Sequence, residues 1–366
     1  MIGIKFFFTL LGNHYMKKSF VIIGAGPVGL WTGIQLKKRI PDCQVTLYEK
    51  YEEYKRDHVL KIQHSSLFFG ASKIKTHYDS DFFKNVFNQS KFKTSSTPLK
   101  KSYISTKVIE KELKSFALNL GCKIIYQEIN DIDIVLNKHG KNTKYIIANG
   151  AKSKLRENLF LNGLEKHDLQ HIIEFKSFSE NKIKKLKTKN LNEFTNLGFE
   201  YIGKKSDNKY PFNLRLFVSK EDYDNMPEAT FKNPIKDLDC LPNSIKEDLI
   251  LYAQKHNQNI DSLFVNGKLS KLQLSVYASN DFAIDYNGYD LFLTGDAAMA
   301  VPYFRALNSG FVLSSRLAYI LNISNNPVNM YNNYRGIHKN AEFFLAQSKN
   351  FVLNKYSELR KLYSIK

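Results

Sequence analysis

Along the first fifty residues the spacing of apolar positions changes twice. Residues 20–23 form an uninterrupted apolar run, the signature of a strand covered on both faces. A glycine-rich stretch, Gly24 to Gly29, ends it, and Leu30, Trp31, Ile34 and Leu36 then recur at helical spacing. Residues 44–49 return to a strand pattern, so a β-α-β unit is predicted. Residues 51–104 are polar and aromatic-rich without sustained period, which predicts a long irregular segment covering a ligand. In residues 108–120, Ile109, Leu113, Phe116, Ala117 and Leu120 share one helical face, with Gly121 placed as a C-cap. Strands are predicted at 122–127 and 144–149. From 157 to 290 the pattern becomes alternating, with strands at 199–203, 214–219 and 272–277 and a helix within 233–256 after its prolines. Residues 289–294 read as a buried parallel strand returning to the first domain, and amphipathic helices follow at 310–323 and 328–362.

This pattern predicts an α/β protein: a Rossmann-like cofactor domain, an inserted β-sheet substrate domain and closing C-terminal helices. The expected boundaries are a loose extension at 1–16, the first part of the cofactor domain at 17–156, mainly the substrate domain at 157–288, and the return strand with its helices at 289–366. At 366 residues the chain exceeds what one hydrophobic core usually serves.

The glycine stretch carries chemistry. Gly24 permits a sharp turn, Gly26 leaves a pyrophosphate free to approach the backbone, and Gly29 lets the helix lie close to the strand. The helix N-terminus, with its free N–H groups and positive dipole end, then faces the phosphates. Glu49 ends the second strand 20 residues after Gly29, where such folds hydrogen-bond an adenosine ribose. The competing reading is a chance glycine turn, but strand, turn, helix, strand and acid stand here in the order a dinucleotide site needs.

Composition narrows the class. Hydrophobic residues make up 43% of the chain, and no stretch approaches 18 uninterrupted apolar residues. Residues 4–12 look like a short signal core but lack a following small-residue cleavage site. Cys43, Cys122 and Cys240 are few, odd in number and widely spaced, which fits reduced cytoplasmic thiols and no metal site. The formal charge is +19, with 54 basic against 35 acidic residues, and lysines cluster in 182–189. Such a surface attracts an acidic macromolecule or an anionic membrane. The plainer reading is a solvated surface on a chain rich in Lys, Asn and Ile throughout. No helix-turn-helix, zinc-finger or RNP-like motif points to nucleic acid.

Four segments together resemble the group A flavin monooxygenases, the para-hydroxybenzoate hydroxylase-like family, over residues 17–350. In the first, the resemblance implies that Gly24, Gly26, Pro27, Val28 and Gly29, with Glu49 and Lys50, hold the ADP half of FAD. The second, residues 147–156, is similar to the family's Asp-Gly-x-x-Ser-x-x-Arg turn and implies Asn149, Gly150 and Arg156 near the pyrophosphate and the nicotinamide path. In the third, Gly295 and Asp296, followed by Pro302, Asn308, Ser309 and Gly310, imply contacts to the ribityl chain and flavin. The fourth, from Leu321 through Tyr331 to Arg335, resembles the closing helix. Local features resemble the MICAL monooxygenases: Arg56 in residues 56–62, and residues 104–109, where Lys107 stands in place of that family's Arg. Asn149 replaces the family's usual Asp, Met299 stands where many members have His, and Phe304 with Arg305 replaces a glycine-rich approach to the flavin.

The implied activity is a monooxygenase in which NAD(P)H reduces the bound FAD and O2 supplies the oxygen transferred to an aromatic small molecule or a protein side chain. Asp296 is otherwise an N-cap or turn residue, and Arg56, Arg156, Lys107 and Arg305 are otherwise solvated or salt-bridged cations. His58 and His64 fall in the irregular segment over the expected site, and Gln273, Ser275 and Tyr277 share one face of a substrate-domain strand. Arg305, His58 and Tyr277 are the candidates for contact with the reaction. Two rival readings stay open: a flavin oxidoreductase of this fold that does not hydroxylate, and a catalytically weakened flavin-fold protein that binds an acidic partner. The halogenase branch is disfavoured because Trp31 is the sole tryptophan.

Overall fold

The computed structural model describes residues 17–53, 59–67, 101–187, 191, 193–203, 205, 208–230, 232–302 and 305–364. In chain order the elements begin β1 (Ser19–Ile23), α1 (Pro27–Arg39), β2 (Gln44–Glu49), β3 (Val59–Gln63), β4 (Lys101–Ser105), α2 (Thr106–Asn119), β5 (Lys123–Tyr126), α3 (Asp133–His139), β6 (Thr143–Ile147) and α4 (Lys154–Leu159). They continue with β7 (Leu164–Ser179), β8 (Leu197–Ile202), β9 (Tyr210–Val218), α5 (Lys220–Asp224), α6 (Asn243–Lys255), α7 (Ile260–Val265) and β10 (Lys268–Ser279). The chain closes with β11 (Ala283–Tyr286), β12 (Tyr289–Leu293), β13 (Met299–Ala300), α8 (Ala306–Ile323) and α9 (Pro327–Ser364). Two compact units result: Met1–Glu165 with Tyr277–Asn340, and Lys166–Val276 with Ala341–Lys366.

The first unit is built on a six-stranded sheet in the order β11-β12-β6-β1-β2-β5. β1 is flanked by parallel neighbours, Ser19 standing opposite Gln44 of β2 and Thr143 of β6. With strands beside it and helices covering the sheet, Phe20, Val21, Ile22 and Ile23 are all buried, which is why this strand reads as an unbroken apolar run. The predicted return strand is β12, parallel to β6 with Leu291, Phe292 and Leu293 opposite Tyr145, Ile146 and Ile147. β11 pairs antiparallel with it at the edge. On α1, Trp31 donates its Nε1–H to Ser315 Oγ at 2.9 Å and meets Phe311 edge-on at 5.7 Å, joining α1 to α8.

Several elements depart from the sequence reading, among them the long strand β7 and the short helices of the second unit. β3 and β4 pair antiparallel, Val59 opposite Ser105, at the two ends of the stretch read as irregular. Their pairing partner lies some 40 residues away in sequence, so no local period betrays it. The short helix α3 and the edge strand β11 were likewise unassigned.

The second unit's sheet runs β10-β7-β9-β8, and β13 joins the end of β10 through Tyr277 and Ala278. Its core gathers Ile173, Phe175, Leu214, Leu216, Ile245, Leu249 and Tyr252 from the strands and from α6. Glu174 and Glu200 are among the buried carboxylates of this unit. Glu174 accepts hydrogen bonds from Asn213 at 2.6 Å and from Arg215 Nε at 2.8 Å. Glu200 accepts from Tyr252 Oη, from the Leu186 N–H and from His256 Nε2, each at 2.7 Å. The Leu186 bond anchors the lysine-rich segment, where Ile183 and Leu186 are buried and Lys184, Lys185 and Lys187 are exposed.

The domain boundary at the C-terminus is corrected by α9. Residues 289–366 were assigned whole to the cofactor domain, but Ala341–Lys366 belongs to the second unit. The early part of α9 serves the first unit: Tyr331 Oη donates to the Leu293 carbonyl, and Asn332 Oδ1 accepts from the Phe282 and Ala283 N–H groups. Its later part serves the second, with Phe343 edge-on to His167 and Gln170 donating to Asn350 and Asn354. A helix of 38 residues spans roughly 57 Å at about 1.5 Å per residue, longer than one such unit needs.

Candidate functional site

A cleft of about 560 Å³ opens at the C-terminal ends of β1, β2, β6 and β12, within the size range of small-molecule sites. Every residue lining it belongs to the first unit. The glycine turn forms one wall, and its three glycines do different work. Gly24 has φ +105°, donates its N–H to the Tyr48 carbonyl at 2.8 Å, and would drive a Cβ to 2.6 Å from the Ala148 carbonyl oxygen. A Cβ on Gly29 would fall 1.9 Å from the Gly24 carbonyl oxygen, so this residue sets the strand-to-helix approach. Gly26 has an ordinary extended conformation, φ −67° and ψ 177°, and a Cβ there would meet nothing within 4 Å. Its missing side chain is unexplained by protein packing; it leaves open space at the start of α1. That helix start has Pro27 in its first turn, no acid and no side-chain cap, so its N–H groups and positive dipole end are left for an anion.

Glu49 lines the cleft and also builds it: Oε2 accepts the Ala25 N–H at 2.7 Å and Oε1 the Tyr51 N–H at 3.2 Å. Across from it, Glu110 of α2 is held above the usual carboxylate range by burial, opposed by Lys114 and reinforced by Glu49. Two carboxyls therefore share this end of the cleft, where a ribose diol would find acceptors. Lys50 stands on the wall 3.6 Å from Glu128. Asn149 and Gly150 line the cleft after β6, as do Gly295 and Asp296 after β12, and Ala306 and Leu307 at the start of α8. Gly295, at φ +59°, would press a Cβ to 3.0 Å from Val28.

Several expected contacts lie elsewhere. Arg156 is buried but off the cleft: Nη1 donates to the Ala297 carbonyl at 3.4 Å, Nη2 meets Glu157 at 3.2 Å, and the guanidinium lies 5.7 Å from the Tyr277 ring centre. Tyr277 in turn donates its hydroxyl to the Asp296 carbonyl at 2.8 Å. Burial, with Asp296 adding and Arg156 opposing, pushes its phenol up to about 12. These two residues brace the backbone at Asp296 and Ala297. Asn308 ties α8 to β3, accepting from the Gln63 N–H at 2.8 Å and Ser66 Oγ at 3.1 Å and donating to the Lys61 carbonyl at 2.8 Å. Gly310 is a packing residue, since a Cβ there would lie 2.6 Å from Val28 Cγ2. Ser309 and Pro302 do not line the cleft, and Lys107 is exposed at the start of α2. Arg305 precedes α8 near His338, whose imidazole is held down to about 3 by burial, then by Arg335 and Arg305. Gln273 and Ser275 lie in the second unit, outside the cleft. His64 begins a 3-10 turn, and Arg56, His58 and Phe304 fall outside the described residues.

The structure adds Thr106, Glu110, Gln127, Glu128, Lys152 and Lys154 to the wall. Lys152 and Lys154 sit inside the 147–156 motif, so their position was readable; Thr106 and Glu110 arrive only because β4 pairs with β3 and delivers the start of α2. Among the described residues no cluster of His, Cys, Asp and Glu has the makings of a metal site. No helix among them is long and apolar enough to cross a membrane.

Under the FAD-holding role that the sequence resemblance implies, Asp296→Ala is expected to weaken FAD binding more than Asn149→Ala, because a charged acceptor makes hydrogen bonds about twice as strong as a neutral one. Flavin release from the two variants checks this, and equal affinities would remove Asp296 from the role.

No family model matches the chain, and no curated protein matches it. Solved structures do. The chain is similar to the Diels–Alderase PyrE3 of pyrroindomycin biosynthesis, at a TM-score of 0.61 and 14% identity over 95% of this chain and 76% of that one. It is similar to OxyS, an anhydrotetracycline hydroxylase from Streptomyces rimosus, at 0.58 and 13% over 95% and 72%. A 2-methyl-3-hydroxypyridine-5-carboxylic acid oxygenase aligns at 0.59 and 13% over 93% and 92%. At such identities the likeness establishes the fold: a Rossmann-like parallel core accompanied by an antiparallel sheet.

Proposed function

We propose that the protein is an FAD-dependent monooxygenase that draws electrons from NAD(P)H and transfers oxygen from O2 to an aromatic small molecule or a protein side chain. The observation that carries this is the open space at Gly26, beside an uncapped helix start, in the cleft that Asp296 also lines. The residues fit the cofactor. The first turn of α1 would bind the pyrophosphate, Glu49 and Glu110 the adenosine ribose, and Asp296 the hydroxyls of the ribityl chain. The start of α8, which has no acid in its first turn, places Ala306 and Leu307 on the wall and would favour negative charge on the flavin. Bound there, FAD would supply the two-electron and oxygen-transfer chemistry. A similar fold in a structure described as CtdE in complex with FAD, at a TM-score of 0.54, supports the cofactor. Oxygen uptake by the FAD-loaded protein on addition of NADPH tests the reading; uptake absent with every aromatic and protein substrate tried would contradict it.

A second reading has its own support. Asn149 lacks the family's carboxylate, Met299 is buried in β13 where many members have His, and the Diels–Alderase PyrE3 shares this fold. A flavin-fold protein that does not hydroxylate would bind FAD and take up no oxygen.

A further inference from the structure

The later part of α9 presents a second apolar face that stands exposed among the described residues. Phe343 and Ala346 are buried against the second unit, whereas Phe344 is 69% exposed and Phe351 and Val352 are each 63% exposed. Leu345, Tyr356 and Leu359 are exposed as well. At roughly 100° per residue, these six side chains fall within an arc of about 140° opposite the buried face. Exposed lysines accompany them: Lys355 lies within the stripe and Lys349 along its edge. Over residues 343–366 the sequence carries Lys349, Lys355, Arg360, Lys361 and Lys366 against the single acid Glu358.

We propose that this face of α9 docks the protein onto an anionic lipid surface, with Phe344, Phe351, Val352 and Leu359 entering the headgroup boundary. Aromatic and aliphatic residues on one face, flanked by cations, compose the interfacial helix. Lysines beside the stripe suit that setting, because their stems cover apolar surface while the ammonium reaches the phosphates. The +19 charge of the whole chain draws it to the same surface. A second copy of this helix fits poorly. With Leu345, Val352 and Leu359 on one seam of a heptad, the other seam falls on Ser348, Lys355 and Leu362 or on Lys349, Tyr356 and Tyr363, so either register puts a lysine into the seam. With Phe344 and Phe351 on one seam, it falls on Gln347 and Asn354 or again on Ser348 and Lys355. Two such helices would also set cations against cations.

The test is sedimentation of the full chain with vesicles, either pure phosphatidylcholine or containing about 30% phosphatidylserine. Retention on the phosphatidylserine vesicles is expected to exceed that on phosphatidylcholine about tenfold and to be lost near 0.5 M salt, where the screening length falls well below 10 Å. The double variant Phe351→Ser, Val352→Ser should bind about tenfold less, with an unchanged circular dichroism spectrum because both positions are exposed. Equal binding of variant and wild type, or equal binding to neutral vesicles, would overturn the proposal. So would failure to bind vesicles combined with a dimer on sizing that the double variant disperses, a result that would assign the face to a second copy.

Discussion

Gly26→Val is expected to leave a folded protein that no longer takes up FAD. The backbone at Gly26 is extended at φ −67°, which valine adopts readily, and the new side chain enters space in which no described residue lies within 4 Å of its Cβ. The folding cost should be about 1 kcal/mol, the penalty of a branched apolar residue at an N-cap. The pyrophosphate would have to occupy the volume the valine fills, so FAD affinity should fall by about a hundredfold or more. Gly29→Ala makes the complementary case. Its Cβ would lie 1.9 Å from the Gly24 carbonyl oxygen, and both atoms belong to the backbone framework of the turn. That variant should fail to fold its first unit whether or not FAD is supplied. Thermal melts and flavin content of both proteins separate the two effects, and a Gly26→Val protein with normal FAD content would remove the glycine turn from the site.

Glu200→Ala is expected to destabilise the second unit by about 3–5 kcal/mol, because it leaves the buried Tyr252 hydroxyl and Leu186 N–H without their acceptor at about 1–3 kcal/mol each and opens a cavity besides. Its carboxylate is completely buried, as is nearly all of His256, and it serves Tyr252 and the Leu186 N–H as well. Burial alone would raise the Glu200 carboxyl, but His256, the Leu186 N–H and Tyr252 outweigh it and hold the group below its usual 4.5. A carboxyl held lower in the folded state contributes stability that is present above its unfolded value and is lost as pH falls through the folded one. The stability gap between wild type and Glu200→Ala should therefore be full at neutral pH and narrow as pH falls below about 4.5. Glu174 is also held low, despite burial, by Asn213 and Arg215 with help from Lys176. Wild type alone would report both groups, so the comparison with the variant is what isolates Glu200. Denaturant midpoints across this pH range check the prediction, and a gap that widens on acidification would contradict it.

Local requirements were legible in the sequence, and tertiary ones were not. Gly24 and Gly29 are demanded by backbone geometry within one turn, and Glu49 by its place at the end of the next strand. Asp296 was legible because β12 is an apolar strand ending in a Gly-Asp turn. Asn308 and Gly310 look like cofactor ligands from the motif they belong to, yet Asn308 is taken up by β3 and Gly310 by Val28, partners some 245 and 282 residues away. Arg156 shows a related effect: its motif fixes the turn, while its long side chain is directed by Ala297 and Tyr277. Glu110 escaped notice because an acid on an amphipathic helix ordinarily faces solvent, and only the β3–β4 pairing turns it toward the cleft. The division of α9 between two units was invisible because its apolar positions lie on more than one face.

The most direct measurement is the visible spectrum of the purified chain after incubation with FAD and desalting, recorded without oxygen before and after NADPH is added. The account predicts a retained flavin at about one per chain, whose absorption bleaches on reduction. A folded protein that emerges colourless, with no FAD retained, would contradict it.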